Sequence, residues 1–253
     1  MRLPVQHIEC FHLVLLRILE SRVDRARWVV KGGVNLRAWF GSLRYSEDLD
    51  LDVTRGEATS LREKMDKLLG SAVLRDMLAV QGLELTRTSK PKQTETTQRW
   101  KFEIRAEGLS LSLPTKVEFS RRGSAEEYVL EAVRPEIVRP YSLSPPTANH
   151  YTARSAVRQK IAALAGRAET QARDVWDLEH LLRTTGADPR PLTAQERETL
   201  AIALDRAMGI SFDEFKSQVV PYLAPDHQQL YGTPQPWERI LELVVERLSS
   251  LIT

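Results

Sequence analysis

Asp48-Leu49-Asp50-Leu51-Asp52-Val53 alternates acidic and apolar side chains with a strict period of two. That period belongs to a strand, whose successive side chains point to opposite faces. Asp48, Asp50 and Asp52 therefore project from one face while Leu49, Leu51 and Val53 enter a core. Same-face neighbours stand about 6–7 Å apart, from two rises of ~3.3 Å. Aspartate is a poor strand former, so three in six residues carry a local cost that solvation explains badly. A locally broken rule of this kind marks function. Two like charges this close raise each other's pKa unless a cation lies between them. Magnesium meets that need, because it prefers carboxylate oxygen and keeps positions open for water and phosphates. Asp48 and Asp50 are the expected pair; Asp52, furthest from the glycine turn described next, is expected to be solvated.

Upstream, Trp28-Val29-Val30 is short, apolar and β-branched, as a buried strand should be. It ends at Lys31-Gly32-Gly33, and a helical pattern follows from Val34 to Phe40. Strand, glycine turn and helix in that order let backbone N–H groups face an anion. Lys31 stands at the lip of this turn, and Arg44 and Ser46 flank the aspartate strand; each also suits ordinary loop chemistry. Downstream, Lys116-Val117-Glu118-Phe119-Ser120 alternates as well. Glu118 becomes a third carboxylate for the same metals if its strand neighbours the aspartate strand; otherwise it is a solvated residue beside Lys116.

The rest of the chain fits around this centre. Its 253 residues suffice for a core without staples, and 42% hydrophobic with 28% charged residues is an ordinary globular composition. The lone Cys10 excludes a disulfide framework or a cysteine zinc site and fits a reducing compartment. No apolar run approaches the ~18 residues of a membrane span. The run from Phe11 to Leu19 is broken by His12 and Arg17, with no cleavage site after it, so a cytoplasmic protein is expected. A net charge of +2 does not by itself argue for nucleic acid.

Helical spacing covers residues 5–22 and 57–81, whereas 83–88, 98–106 and 109–120 alternate and read as strands, expected to be antiparallel. Prolines 135, 140, 145 and 146 mark a linker. Helices are then expected over about 152–167, 173–184, 193–208, 211–222 and 236–252, two of them starting at the capping-box pairs Thr193 with Glu196 and Ser211 with Glu214. The expected organisation is α+β, with an α/β domain over 1–140 and a helical domain over 141–253.

Gly32-Gly33, fourteen residues, then Asp48-Leu49-Asp50 resembles the Gly-[Gly/Ser]…Asp-x-Asp signature of the DNA polymerase β-like nucleotidyltransferase superfamily. More narrowly, Lys31-Gly32-Gly33-Val34-Asn35-Leu36-Arg37 with Arg44-Tyr45-Ser46-Glu47-Asp48-Leu49-Asp50-Leu51 resembles the AbiEii-type toxins of type IV toxin–antitoxin systems. Lys160-Ile161-Ala162-Ala163-Leu164-Ala165-Gly166-Arg167 is similar to that family's Lys-Leu-x-x-Leu-x-x-Arg helix, and Arg173-Asp174-Val175-Trp176-Asp177-Leu178 to its Arg-Asp-x-x-Asp-Leu block.

The resemblance implies a bilobed protein whose nucleotidyltransferase-like mixed sheet is flanked by helices and followed by a helical domain. It implies Mg²⁺-dependent transfer of a nucleoside monophosphate from an NTP with release of pyrophosphate, an RNA acceptor such as the tRNA 3′ end, and a cognate antitoxin. A protein or small-molecule acceptor, or a non-catalytic nucleotide-binding protein, are the alternatives. Where the superfamily often carries a hydroxyl, this chain has Gly33, so phosphate contacts would come from backbone N–H groups or from Ser46.

By the same resemblance Lys160 grips the triphosphate with Arg167 in support, and Asp174 positions the lysine or the nucleotide. Residue types alone would make Lys160 and Arg167 a solvated pair on an amphipathic helix, and would place Asp174 in a first turn for the helix dipole. Asp177 is expected to be structural and Trp176 to lie in the core. The basic segment with Arg87, Lys90, Lys92, Arg99, Lys101 and Arg105 suits either a nucleic-acid backbone or a guarded edge strand.

Overall fold

The computed structural model describes residues 2–122 and 126–252. The chain divides into two compact units, one made of Met1–Gly41 with Tyr45–Tyr151, the other of Ser42–Arg44 with Thr152–Thr253.

The first unit opens on helix α1 (Pro4–Arg22), with proline at its first position and the Gln6 amide oxygen accepting from the Leu3 N–H at 2.8 Å. Strand β1 (Trp28–Lys31) leads into α2 (Gly32–Phe40), and β2 (Asp48–Val53) follows. Next come α3 (Ala58–Leu69), α4 (Ala72–Val80), β3 (Leu83–Gln93), β4 (Thr97–Ala106), β5 (Leu113–Ser120), β6 (Tyr128–Ala132), the short α5 (Pro135–Val138) and β7 (Thr147–Tyr151). Among the described residues seven strands form one sheet in the order β3-β4-β5-β2-β1-β7-β6. β2 pairs antiparallel with β1 and parallel with β5, and β1 pairs parallel with β7.

One face of this sheet packs on α1, α3 and α4. Trp100, Phe102, Val117, Phe119, Leu49 and Leu51 are buried there with Phe11 of α1. The Phe11 and Phe102 rings lie 5.2 Å apart and Trp100 meets Phe119 edge-on at 5.8 Å. His12 is buried in the same layer, and burial lowers its pKa to about 3, so it is neutral. The Thr115 hydroxyl donates to the Glu47 carbonyl at 2.6 Å and so accepts from His12 Nε2 at 2.8 Å. The aspartate face is thereby left to the other side.

Several elements differ from expectation for local reasons. The helix expected over 57–81 is two helices, broken at Gly70 and Ser71, where the Ser71 hydroxyl accepts from the Leu74 N–H at 3.2 Å and caps α4. The expected boundary at residue 140 falls inside the first unit, because β7 returns to the sheet beside β1. This strand is buried over Ala148–Tyr151, on both faces, so it carries no alternation to read.

The second unit is helical: α6 (Ala153–Gly166), α7 (Ala172–Thr185), α8 (Ala194–Met208), α9 (Phe212–Gln218), α10 (Pro225–Tyr231) and α11 (Pro234–Ser249). Both capping boxes form, at Thr193 with Glu196 and at Ser211 with Glu214. The helix expected over 211–222 ends early, and a 3₁₀ turn around Pro221 precedes α10, whose start at Pro225 the hydrophobic pattern did not show. Trp176 lies in the core as expected, 5.9 Å from the Phe215 ring, which stacks on Trp237 at 4.7 Å.

Candidate active site

The site begins where β1 becomes α2. Gly32 has φ +67°, a left-handed conformation that L side chains rarely adopt, and a Cβ built there would stand 3.4 Å from Asp50 Oδ2. The turn therefore lies directly against the aspartate strand, with the unpaired N–H groups of the first turn of α2 beside it. Within the same motif, the Asn35 amide donates to the Tyr151 carbonyl at 3.0 Å and fastens α2 to β7.

Register brings the acidic residues together. Asp50 faces Lys31 across the β1–β2 pairing and Glu118 across the β2–β5 pairing, while Glu118 faces Arg99 on β4. The condition set for Glu118, a strand next to the aspartates, is met. Asp48 faces Lys116, whose amine reaches Asp48 Oδ2 at 2.5 Å. Arg99 Nε donates to Glu118 Oε2 at 2.6 Å. Asp50 differs from both: it has no hydrogen bond or ion pair to any described residue. Burial and the neighbouring Asp48 and Glu118 charges raise its pKa against the pull of Lys31 and Lys116.

Asp52 is not the solvated residue expected of it. It is buried, accepting from Lys31 Nζ at 2.5 Å and from the Tyr151 hydroxyl at 2.8 Å. Lys31, expected at the phosphates, is thus drawn along the sheet to Asp52. Ser46, expected as a phosphate contact, donates its hydroxyl to the Asp48 carbonyl at 2.9 Å and shapes the entry to β2.

Among the described residues no three carboxylate, imidazole or thiol side chains are gathered so as to hold one metal ion. Lys116 and Arg99 instead neutralise two of the three acids. The donor set is nonetheless all carboxylate oxygen, and Asp50 is a partly buried acid with no bonded partner. An acid in that state fits a hard divalent cation such as magnesium better than a softer metal.

The second unit carries its own charged cluster. Lys160 Nζ lies 2.9 Å from Asp174 and 2.5 Å from Asp177, both carboxylates fully buried. Arg167 Nε donates to the other oxygen of Asp174 at 2.8 Å and keeps 39% of its side chain exposed. Arg44, expected beside the aspartate strand, belongs to this unit and forks onto Asp177, the nearest approach being 3.0 Å. Burial would lower the Lys160 pKa, but Asp177 and Asp174 outweigh it and hold the amine charged. Burial alone would raise Asp177; Arg44 and Lys160 bring it down to about 2 instead.

Sequence reasoning missed Arg99, Tyr151 and the place of Lys116 as partners of the acids. Lys116 had a signal, since it stands two residues from Glu118 and so shares its face. Tyr151 had none, because only the return of β7 brings it to Asp52.

A glycine turn at a helix start thus stands against an Asp-x-Asp strand in a mixed sheet, as the resemblance to the nucleotidyltransferase signature implies. The model of the nucleotidyl transferase AbiEii toxin family, of type IV toxin–antitoxin systems, matches residues 14–239, and the chain belongs to that family. A search of curated proteins finds no match. Among solved structures, JHP933 from Helicobacter pylori is similar at 17% identity with a TM-score of 0.63, over 99% of this chain and 95% of that one. The nucleotidyltransferase toxin MenT4 from Mycobacterium tuberculosis is similar at 19% identity with a TM-score of 0.54, over 94% and 92%. Family membership implies an NTP substrate and a cognate antitoxin. Among the described residues no helix is long and apolar enough to cross a membrane.

Proposed function

We propose that this toxin transfers a nucleoside monophosphate from an NTP to the 3′ hydroxyl of an RNA, in the first instance the acceptor end of a tRNA, using Mg²⁺. The observation that carries the reading is the unbonded Asp50 carboxylate, facing Glu118 across the sheet and flanked by Asp48, against the Gly32 turn. A carboxylate kept partly buried without a cation of its own is costly unless a ligand completes it.

Asp48, Asp50 and Glu118 are the residues that would hold magnesium, which requires Lys116 to give up Asp48 and Arg99 to give up Glu118. The ion would lower the acceptor hydroxyl's pKa and offset phosphate charge. The first-turn N–H groups of α2 and Gly33 receive phosphate oxygens. The acceptor 3′ hydroxyl gives up its proton to water, its oxygen forms a bond to the α-phosphorus as the bond from that phosphorus to the bridging oxygen breaks, and pyrophosphate leaves. Catalysis is then chiefly positioning and charge stabilisation.

In the helical unit Lys160 is committed to two carboxylates. Its proposed part is to hold Asp174 and Asp177 in place, while Arg167 is the cation of that cluster left accessible to an anion. The test is incubation with total tRNA, magnesium and each α-phosphate-labelled NTP in turn, with label read separately in RNA and in protein. Label entering RNA with wild type and absent with Asp48→Asn is expected. Label in protein alone, or unchanged incorporation by the variant, overturns the reading.

A further inference from the structure

The far end of β2 borders a second charged feature. Five residue rises separate Asp48 from Val53, about 16 Å of strand, and Val53 points to the opposite face from the aspartates. A shallow, solvent-open depression lies there, lined by Trp28 and Phe119 together with Arg27, Arg55, Lys64 and Arg121. Glu57 also lines it.

Arg121 is the telling residue. Nε and both Nη atoms are buried, and none has a hydrogen-bond partner among the described residues. A guanidinium carries five donors and stays charged in proteins. Burying it with none satisfied costs free energy that a native fold rarely tolerates. Among the described residues, none pairs with it as the missing anion. Asp24 is engaged by Arg55 at 3.2 Å and Arg27 at 3.7 Å. Glu57 and Glu95 act on Arg121 only through space, and burial outweighs them in lowering its pKa. Lys64 has no hydrogen bond or ion pair to any described residue.

The backbone is shaped to suit. Gly56, at φ +105°, holds a backbone conformation that L side chains rarely adopt, with Arg27 Nη1 in ordinary contact at 3.5 Å from the place of its missing Cβ. α3, a helix of twelve residues, starts at Ala58 next to the depression and adds the positive end of its dipole.

We propose that this depression is an oxyanion site that takes a phosphoryl group on Arg121 and Lys64, separate from the Asp48–Asp50 carboxylates. The planar guanidinium fork matches two phosphate oxygens, and the lysine amine supplies a point charge beside it. Two sources share this chemistry: a free phosphate or phosphomonoester, and a backbone phosphate of RNA. The site is independent of the proposed reaction, so either can fail without the other.

The test compares thermal melting in sodium phosphate and in sodium chloride of matched ionic strength for wild type, Arg121→Met and Lys64→Ala. Phosphate should raise the wild-type Tm by several degrees, and either substitution should remove more than half of that gain. Arg121→Met in chloride should melt no lower than wild type, because it removes an unpaired charge. Lys64→Ala, at a partly exposed position, keeps the test open should the methionine variant fail to fold. An equal phosphate gain in wild type and both variants overturns the proposal, as does a clear loss of stability for Arg121→Met in chloride.

Anisotropy with a short oligoribonucleotide lacking terminal phosphates then separates the sources. Affinity weakened about tenfold by Arg121→Met supports a backbone phosphate, and unchanged affinity alongside a lost phosphate gain supports the free anion.

Discussion

Replacing Lys160 with methionine separates a lysine that holds the fold from one that holds substrate. The amine sits between Asp174 and Asp177, whose side chains are both fully buried. Its loss removes two charge-assisted contacts, each worth about 1.5–3 kcal/mol. The damage is partly offset, since Arg44 still holds Asp177 and Arg167 still holds Asp174. The removed ammonium also no longer has to be desolvated. Breaking a buried ion pair from one side costs about 3–5 kcal/mol, and the surviving arginines place this case at the lower end, about 3 kcal/mol. Urea denaturation of wild type and Lys160→Met, read by far-ultraviolet circular dichroism, measures it. A midpoint shift equivalent to less than about 1 kcal/mol, together with abolished nucleotide transfer, would refute the reasoning and return Lys160 to the substrate.

Three further outcomes follow from named contacts. Asp177, brought down to about 2 by Arg44 and Lys160, contributes about 2 kcal/mol of stability. That contribution is complete above the ordinary carboxylate pKa and lost as pH falls from about 4 towards 2. Wild type should therefore lose that much more than Asp177→Asn across the window, by urea melts at each pH. Gly32→Ala forces a side chain into a left-handed φ at a cost of about 1–2 kcal/mol and crowds Asp50, so calorimetry should show a small Tm drop and transfer assays a large loss of activity. Trp237→Ala, which empties the place stacked on Phe215, should cost about 3–5 kcal/mol by denaturant titration, with the sheet's circular dichroism signal retained.

What was legible in the sequence were the features with a local period or a local stereochemical demand. The alternation of Asp48–Val53, the glycine turn before α2 and both capping boxes each declare themselves within a few residues. The face shared by Asp48 and Asp50 needed no partner strand to read. Contacts that depend on register were not legible. That Asp50 lies opposite Glu118 follows only from the parallel pairing of β2 with β5, two strands separated by the whole of α3, α4, β3 and β4.

The burial of Asp52 is illegible in the sequence for the same reason. Its distance along the strand from the glycine turn says nothing about Lys31 reaching it from β1 or Tyr151 from β7. Lys160 showed its helix face but not that α7 would carry two buried carboxylates up to it. Arg44 illustrates the limit most clearly, because proximity in sequence to the aspartates placed it on the wrong unit.

Divalent cation binding tests the central claim most directly. Manganese(II), a spectroscopic substitute for magnesium, can be titrated into wild type, Asp50→Asn and Glu118→Gln and followed by electron paramagnetic resonance. The account predicts saturable binding by wild type, lost in Asp50→Asn and weakened in Glu118→Gln while both variants remain folded. Equal binding by wild type and Asp50→Asn would contradict it.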